Sequence, residues 1–295
     1  MSKQFDKSLR QLKTGREVLL ALKTYGPLSP RSLKFVLDGA SASKVKLALM
    51  RLSKLGLIQK IAYKHESTNG AYYYLDSRFD RRMLMGELLG CSADDLKLEC
   101  LRHLELPHEQ RCARVHHSLA RMFPQAKLYR DYQLDKYGMT ERVFPSLATE
   151  RRVYPDVLLH FEDLSRDYGE CFIAFEIEEA LKSKQRIMDK LHLYATESLL
   201  DGVVYISTHS QIMESTRHIF SNQTLLENLR IKQYGNNFLL FQNEPIEHDG
   251  ISETAYNLLS KPIAFRDWAT LLMTTANTER RNAQFGVGET KQVSV

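Results

Sequence analysis

Two short stretches of the 295-residue chain place carboxylates where they can act together. Tyr154-Pro155-Asp156 opens the run Val157-Leu158-Leu159, and Cys171-Phe172-Ile173-Ala174-Phe175 closes on Glu176-Ile177-Glu178. Apolar runs of this length predict β-strands. Glu176 and Glu178 are two apart, so a strand turns both to one face. Pairing the two strands brings Asp156 beside them. Three converging carboxylates repel one another unless a cation sits among them. A hard divalent ion, Mg2+ or Mn2+, suits such oxygen donors, and Asp156, Glu176 and Glu178 are the candidate metal ligands. Against this stands the plain reading of Asp156 as a turn residue and of the two glutamates as the solvated face of an edge strand.

Several elements must hold these strands. Residues 126–134 predict a strand, 135–150 a loop, and 162–169 a polar turn between the two carboxylate-bearing runs. Residues 181–200 predict a helix with Leu181, Met188, Leu191, Ala195 and Leu199 on one face, stopped by Gly202. Val203–Ser207 predicts a buried strand, 210–221 a helix and 238–242 a late strand. Helix signals follow at 252–260 and 264–277, and the polar stretch from Arg280 predicts a disordered tail. The helix after Glu178 carries Lys182, Lys184, Lys190 and Tyr194, all candidates to complete a reacting centre; Tyr154 and Tyr132 are further hydroxyls.

The first 75 residues differ in charge from the rest. They hold fourteen Lys or Arg against four Asp or Glu, a balance of +10, and with a net charge of +5 the remainder carries −5. A basic front end of this kind suits a polyanion. Its pattern predicts a helix over 15–25, broken by Gly26-Pro27, and a second helix from Ser29-Pro30 through Leu37. A third helix, capped by Ser41 or Ser43, runs to about Lys54 with Val45, Ala48, Leu49, Leu52 and Leu55 as its apolar stripe. Ile58–Lys64 and Ala71–Leu75 predict a hairpin around Asn69-Gly70. Three helices and a hairpin are the order of a winged helix-turn-helix, which places its third helix in a DNA major groove. Ser43, Lys44, Lys46, Arg51 and Lys54 on that helix, with Lys60 and Lys64 on the wing, are the candidate DNA-binding residues. A protein-interaction module with a solvated basic face is the competing reading.

Residues 80–123 predict helices at 82–89, 92–104 and 107–122. Cys91, Cys100, His103, His108, Cys112, His116 and His117 fall there, but their spacings fit no common zinc pattern, and core or surface packing is the expectation for them. Neither an apolar run of membrane-spanning length nor a signal-peptide core is present. The four cysteines include no Cys-x-x-Cys pair. A cytoplasmic protein without membrane association is the expectation. The domain expectation is a winged helix over 1–78, a helical connector over 79–125, a catalytic domain over 126–280 and a tail over 281–295.

Pro155-Asp156 followed by Glu176-Ile177-Glu178 in this strand context resembles the PD-(D/E)xK nuclease superfamily over about residues 110–210. The resemblance implies an α/β domain, α+β for the whole chain, whose mixed sheet is flanked by helices. It implies catalytic roles for Asp156, Glu176 and Glu178. Glu178 stands where the motif has lysine, and a lysine of the following helix, Lys182, Lys184 or Lys190, is the substitute it points to. A basic winged helix joined to Pro-Asp-Val-Leu-Leu, Phe-Glu-Ile-Glu and Lys190-x-x-x-Tyr194 further resembles the replication-relaxation proteins, which include MobC-type relaxases. That resemblance implies metal-dependent nicking of double-stranded or locally melted DNA at a transfer origin, in company with relaxosome or coupling proteins. Water or a tyrosine such as Tyr194 would attack. The alternatives are a hydrolytic restriction or defence endonuclease and a non-catalytic DNA-binding regulator or replication initiator.

Overall fold

The computed structural model describes residues 13–65, 68–96, 106–145, 154–162, 170–178, 180, 182–197, 199–207, 209–220, 239–243, 254–257 and 262–284. The chain is a mixed α/β protein that divides into two compact units, the first ending at His117 and the second beginning at Ser118.

The first unit is built on α1 (Lys13–Tyr25), α2 (Pro30–Val36) and α3 (Ala42–Lys54), followed by the antiparallel strands β1 (Ile58–His65) and β2 (Thr68–Leu75). Local chemistry sets the boundaries. Ser29 caps α2 by accepting from the Ser32 amide at 3.2 Å, with Pro30 in the first turn. Ser41, not Ser43, caps α3 by accepting from the Lys44 amide at 3.3 Å. Gly56 takes φ +67, a left-handed turn that β-carbon-bearing residues resist, and so lets the chain leave α3 for β1. Leu28 exchanges backbone hydrogen bonds with Tyr73, both 2.9 Å, adding a short bridge to the hairpin edge.

The hairpin turns earlier than the Asn69-Gly70 signal predicts. His65 pairs with Thr68, so Asn69 and Gly70 lie inside β2 opposite Lys64 and Tyr63. Ile58 and Leu75, paired across the strands, enter the core of the unit with Tyr73 packed against it, and this fixes the register, since a one-residue slip would turn that apolar set to solvent.

Much of the segment read as a connector is part of this first unit. α4 (Phe79–Leu89) begins three residues earlier than its pattern predicts and sends Met85 and Leu89 into one core with Val18, Leu22, Leu49 and Leu57. Only a 3-10 turn, Asp94–Leu96, appears in the described part of the predicted 92–104 helix; Ser92 and Asp95 satisfy each other's amides at 3.2 Å there. α5 (Leu106–Met122) contributes Gln110, whose amide oxygen accepts from Ser29 N at 2.7 Å, and His117, whose Nδ1 lies 3.0 Å from the Tyr25 hydroxyl. His116, His117 and Cys112 are buried core residues.

The second unit holds a seven-stranded mixed sheet in sequence order: β3 (Lys127–Arg130), β4 (Val157–Glu162), β5 (Glu170–Ile177), β6 (Leu200–Ser207), β7 (Leu239–Asn243), β8 (Thr254–Asn257) and β9 (Pro262–Ala264). Three strands run antiparallel, β5, β6 and β7 are parallel, and β8 and β9 return antiparallel. Parallel strands need crossovers. α7 (Lys184–Thr196) joins β5 to β6, and α8 (Ser210–Phe220) lies between β6 and β7 in sequence. One sheet face, with Leu158, Phe172, Ala174, Val203 and Tyr205, shares a core with Ile187 and Tyr194 of α7 and Met213 of α8. On the other face Phe175 meets Phe265 of α9 (Phe265–Gln284) edge to face.

Several expectations change in this unit. β3 is only four residues long, because a 3-10 turn at Asp131–Gln133 ends it. The predicted loop contains a short helix, α6 (Met139–Val143), whose Met139 and Val143 are buried. α7 starts three residues late, at the Ser183 cap, and stops at Thr196. Residues 254–257 form a strand rather than a helix, because they pair with β7 and β9. α9 continues through Arg280 to Gln284, and the rest of the predicted tail lies outside the described residues.

Gly202 does not stop α7; it lies inside β6. The register slips between Phe172 and Ile173, and the buried Asp201 carboxylate accepts from Phe172 N at 2.9 Å. A β-carbon at Gly202 would come within 2.7 Å of Leu272 and 2.9 Å of Trp268, so glycine is what lets α9 approach the sheet.

Candidate active site

The antiparallel register pairs Val157 with Phe175, which brings the start of β4 beside the end of β5. Asp156, just before β4, is half-buried, and its Oδ2 accepts from Ile177 N at 2.7 Å. Glu176 is the last even-numbered residue of β5 and lies on the face that packs against α7; it is buried. Glu178 follows the strand, still holds the ladder through its amide to Ile206 O at 2.8 Å, and is buried as well.

α7 supplies the partners. Lys190 and Tyr194 are four apart, hence one above the other on the helix. Lys190 Nζ donates to one oxygen of Glu176 and the Tyr194 hydroxyl donates to the other. Of the three lysines that the sequence offers, Lys190 reaches Glu176, Lys182 lies 3.5 Å from Glu178, and Lys184 opens the helix with an exposed side chain. The structure therefore does not bring Lys184 into the cluster: it sits in the first turn, almost two turns before Lys190. Tyr154 donates to Asp135 at 3.2 Å, and Tyr132 stands beside the Arg130 guanidinium.

Burial dominates the electrostatics. It pushes the Glu176 carboxyl up to about 8, against the pull of Lys190 and with the help of Asp156 and Glu178. Burial also works against charge on Lys190, but Glu176, Asp156 and Glu178 together hold its ammonium above the ordinary lysine value. The Tyr194 hydroxyl is driven well above its ordinary range, first by burial and then by Glu176 and Tyr205. Tyr205 of β6, which sequence patterning gives no reason to select, is displaced the same way by burial and by all three carboxylates. Only its register opposite Glu176 reveals its place in the cluster.

The donor set is all oxygen, and three carboxylates face two ammonium groups. This composition fits a hard divalent cation. Convergence is less complete than the strand argument predicts: Glu176 engages Lys190 and Tyr194 with its two oxygens, and ligand atoms of Asp156, Glu176 and Glu178 do not all lie within 4.8 Å of one another.

A second cluster, invisible in the sequence, lies at the opposite end of the β4–β5 ladder. Glu162 pairs with Glu170 across the strands, and ligand atoms of these two and His160 lie within 4.8 Å of one another. Lys127 meets Glu162 at 2.6 Å, Arg142 pairs with Glu170, and His160 Nε2 lies 3.1 Å from Glu170. Burial lowers the His160 value despite Glu170, and its Nδ1 has no hydrogen-bond partner among the described residues. Metal-bound histidines normally donate their other N–H, so this group reads as a cation-compensated clasp.

In the first unit, Ser43, Lys44, Lys46, Arg51 and Lys54 are exposed on α3, and Lys60 is exposed on β1. The side chain of Lys64 lies outside those described. No helix among the described residues is long and apolar enough to cross a membrane. No family model matches this chain, and no curated protein or solved structure matches it.

Proposed function

We propose that the chain is a metal-dependent DNA endonuclease of PD-(D/E)xK type, with a winged helix-turn-helix that binds duplex DNA and a second unit that nicks it. The observation that carries this reading is the buried Glu176, flanked by Asp156 and Glu178 and contacted by Lys190 from the next helix. A lysine delivered from α7 supports the view that Glu178 displaced the motif lysine without removing its charge from the centre. The strand order, three antiparallel strands leading into parallel β5 and β6 through α7, supports the same family of folds. Three helices followed by a hairpin, with basic side chains exposed on α3, support the winged-helix reading.

Asp156, Glu176 and Glu178 would hold Mg2+ or Mn2+. Bound there, the ion would supply Lewis-acid stabilisation of charge on the scissile phosphate. Lys190 adds a fixed positive charge beside Glu176, suited to the same phosphate. Tyr194 positions Glu176. Its fully buried hydroxyl is committed to that carboxylate and keeps its proton, which disfavours it as the attacking group. Water is the nucleophile this arrangement favours, and hydrolysis the reaction. Relaxase-like transfer to a tyrosine at a plasmid transfer origin, with relaxosome or coupling proteins as partners, is the second reading; the half-buried Tyr154, two residues from Asp156, is the hydroxyl that favours it.

Incubation of supercoiled DNA with Mg2+ or Mn2+ tests the proposal. Open-circular product with free 5′-phosphate ends is expected from the wild type and none from Glu176→Ala. Protein attached to the denatured strand would select the tyrosine reading. Equal nicking by both proteins would remove the site assignment.

A further inference from the structure

The outer face of α3 carries two large apolar side chains that the core does not use. Val45, Ala48, Leu49 and Leu52 make the buried stripe, whereas Leu47 is 41% exposed and Met50 62% exposed. They are three residues apart and so adjacent on the helix surface. Cations surround them: Lys46 lies four residues before Met50, Arg51 four after Leu47, and Lys54 four after Met50. A single exposed leucine calls for no account, but an apolar pair inside a ring of cations does. The thirteen residues of α3 include no Asn, Gln, Asp or Glu, the side chains that pair with adenine and cytosine edges in the major groove. Lysine and arginine can hold phosphates and read guanine. The feature left for apolar side chains to read is the thymine C5-methyl group. A protein partner suits this face less well, since the cores of such interfaces are depleted of lysine.

We propose that Leu47 and Met50 are specificity-determining residues that read thymine methyl groups in the major groove, with Lys46, Arg51 and Lys54 anchoring the flanking phosphates. This rests on the winged-helix reading of the first unit. Both side chains are exposed, so their replacement leaves the core of that unit intact.

The test begins with the full chain selecting from a randomised duplex pool at about 0.1 M salt, where the phosphate contacts still act. The wild type is expected to enrich a motif containing thymines. Replacing each of those thymines by deoxyuridine, which lacks only the methyl, should weaken wild-type binding about fourfold per contacted base, the equivalent of one CH2 group returned to water. Leu47→Ser/Met50→Ser should bind thymine and deoxyuridine duplexes alike, whereas Lys46→Ala should weaken all duplexes similarly. An enriched motif indifferent to deoxyuridine, or unchanged in the double variant, overturns the inference and leaves DNA binding standing. Failure to enrich any duplex overturns the winged-helix reading itself. Self-association of the wild type that the double variant abolishes, with no motif enriched, reassigns the face to a protein interface.

Discussion

Asp76 and Glu176 are both buried carboxylates at the end of a strand, and they are treated in opposite ways. Asp76, one residue past β2, accepts from Arg78 N at 2.9 Å, from Arg78 Nε at 3.0 Å and Nη2 at 3.1 Å, and from the Gln59 amide. Burial alone would raise its value, but these hydrogen bonds from Arg78 and Gln59 hold it below the ordinary aspartate range. Its own surroundings satisfy the charge completely. Glu176 has one ammonium and one hydroxyl, and two more carboxylates for neighbours. A carboxylate that a fold uses for itself is surrounded by donors. One surrounded by other carboxylates costs stability, which is the pattern expected if the proposed cation site is what the cluster serves.

The largest separation between the two is expected in activity. Glu176→Ala should reduce metal-dependent cleavage by at least about 10²-fold, the scale of losing one preorganised electrostatic group, while Asp76→Ala retains the cleavage chemistry. Plasmid nicking rates measure this, and a comparable loss from both substitutions would erase the contrast. Stability should separate them in the other direction. Asp76→Ala should cost about 1–3 kcal/mol by denaturant unfolding, since it strips charge-assisted hydrogen bonds from Gln59 and Arg78. Glu176→Gln keeps a hydrogen-bonding side chain and relieves carboxylate repulsion, so it should cost less than Asp76→Ala.

Lys190→Met sharpens the contrast further. Breaking a buried ion pair ordinarily costs about 3–5 kcal/mol because a bare charge is left behind. Burial favours the protonated form of Glu176, so once Lys190 is gone it can take up a proton, and the measured loss should fall below that range. A full loss would mean that Glu176 is ionised in the folded protein.

The contrast extends to the pH dependence of unfolding. The Glu176 value is raised from 4.5 to about 8, so its contribution to stability is complete below 4.5 and is lost as pH rises towards 8. Asp76 is displaced downward from 3.8, so its contribution is complete above 3.8 and is lost only as pH falls through its lower folded value. Between pH 5 and 8 the Glu176→Gln variant should therefore show a flatter stability profile than the wild type, and Asp76→Asn an unchanged slope.

The carboxylates were legible in the sequence because strand pairing is written in short apolar runs: Val157–Leu159 and Cys171–Phe175 can only be buried together. The helix after them was legible too, but which lysine it would deliver was not. Lys190 and Lys184 differ only in their turn of α7, and that depends on where Ser183 caps the helix. Tyr205 could not be found, because its role follows from parallel register opposite Glu176, a long-range property. The hairpin turn is hidden for the opposite reason: Asn69-Gly70 is a strong local signal that burial of the paired Ile58 and Leu75 overrules. Which core the 79–89 helix joins is not legible, because Met85 and Leu89 are too few apolar positions to declare it on their own.

The proposed chemistry depends on a divalent cation held by the Glu176 cluster. Titration of Mn2+ into the full chain at pH 7, below the Glu176 value of about 8, followed by calorimetry, decides whether the ion binds there. Saturable binding accompanied by proton release is expected, because the ion replaces the proton that Glu176 otherwise keeps, and both should be lost in Glu176→Gln. Binding of equal affinity and proton release in that variant would contradict it.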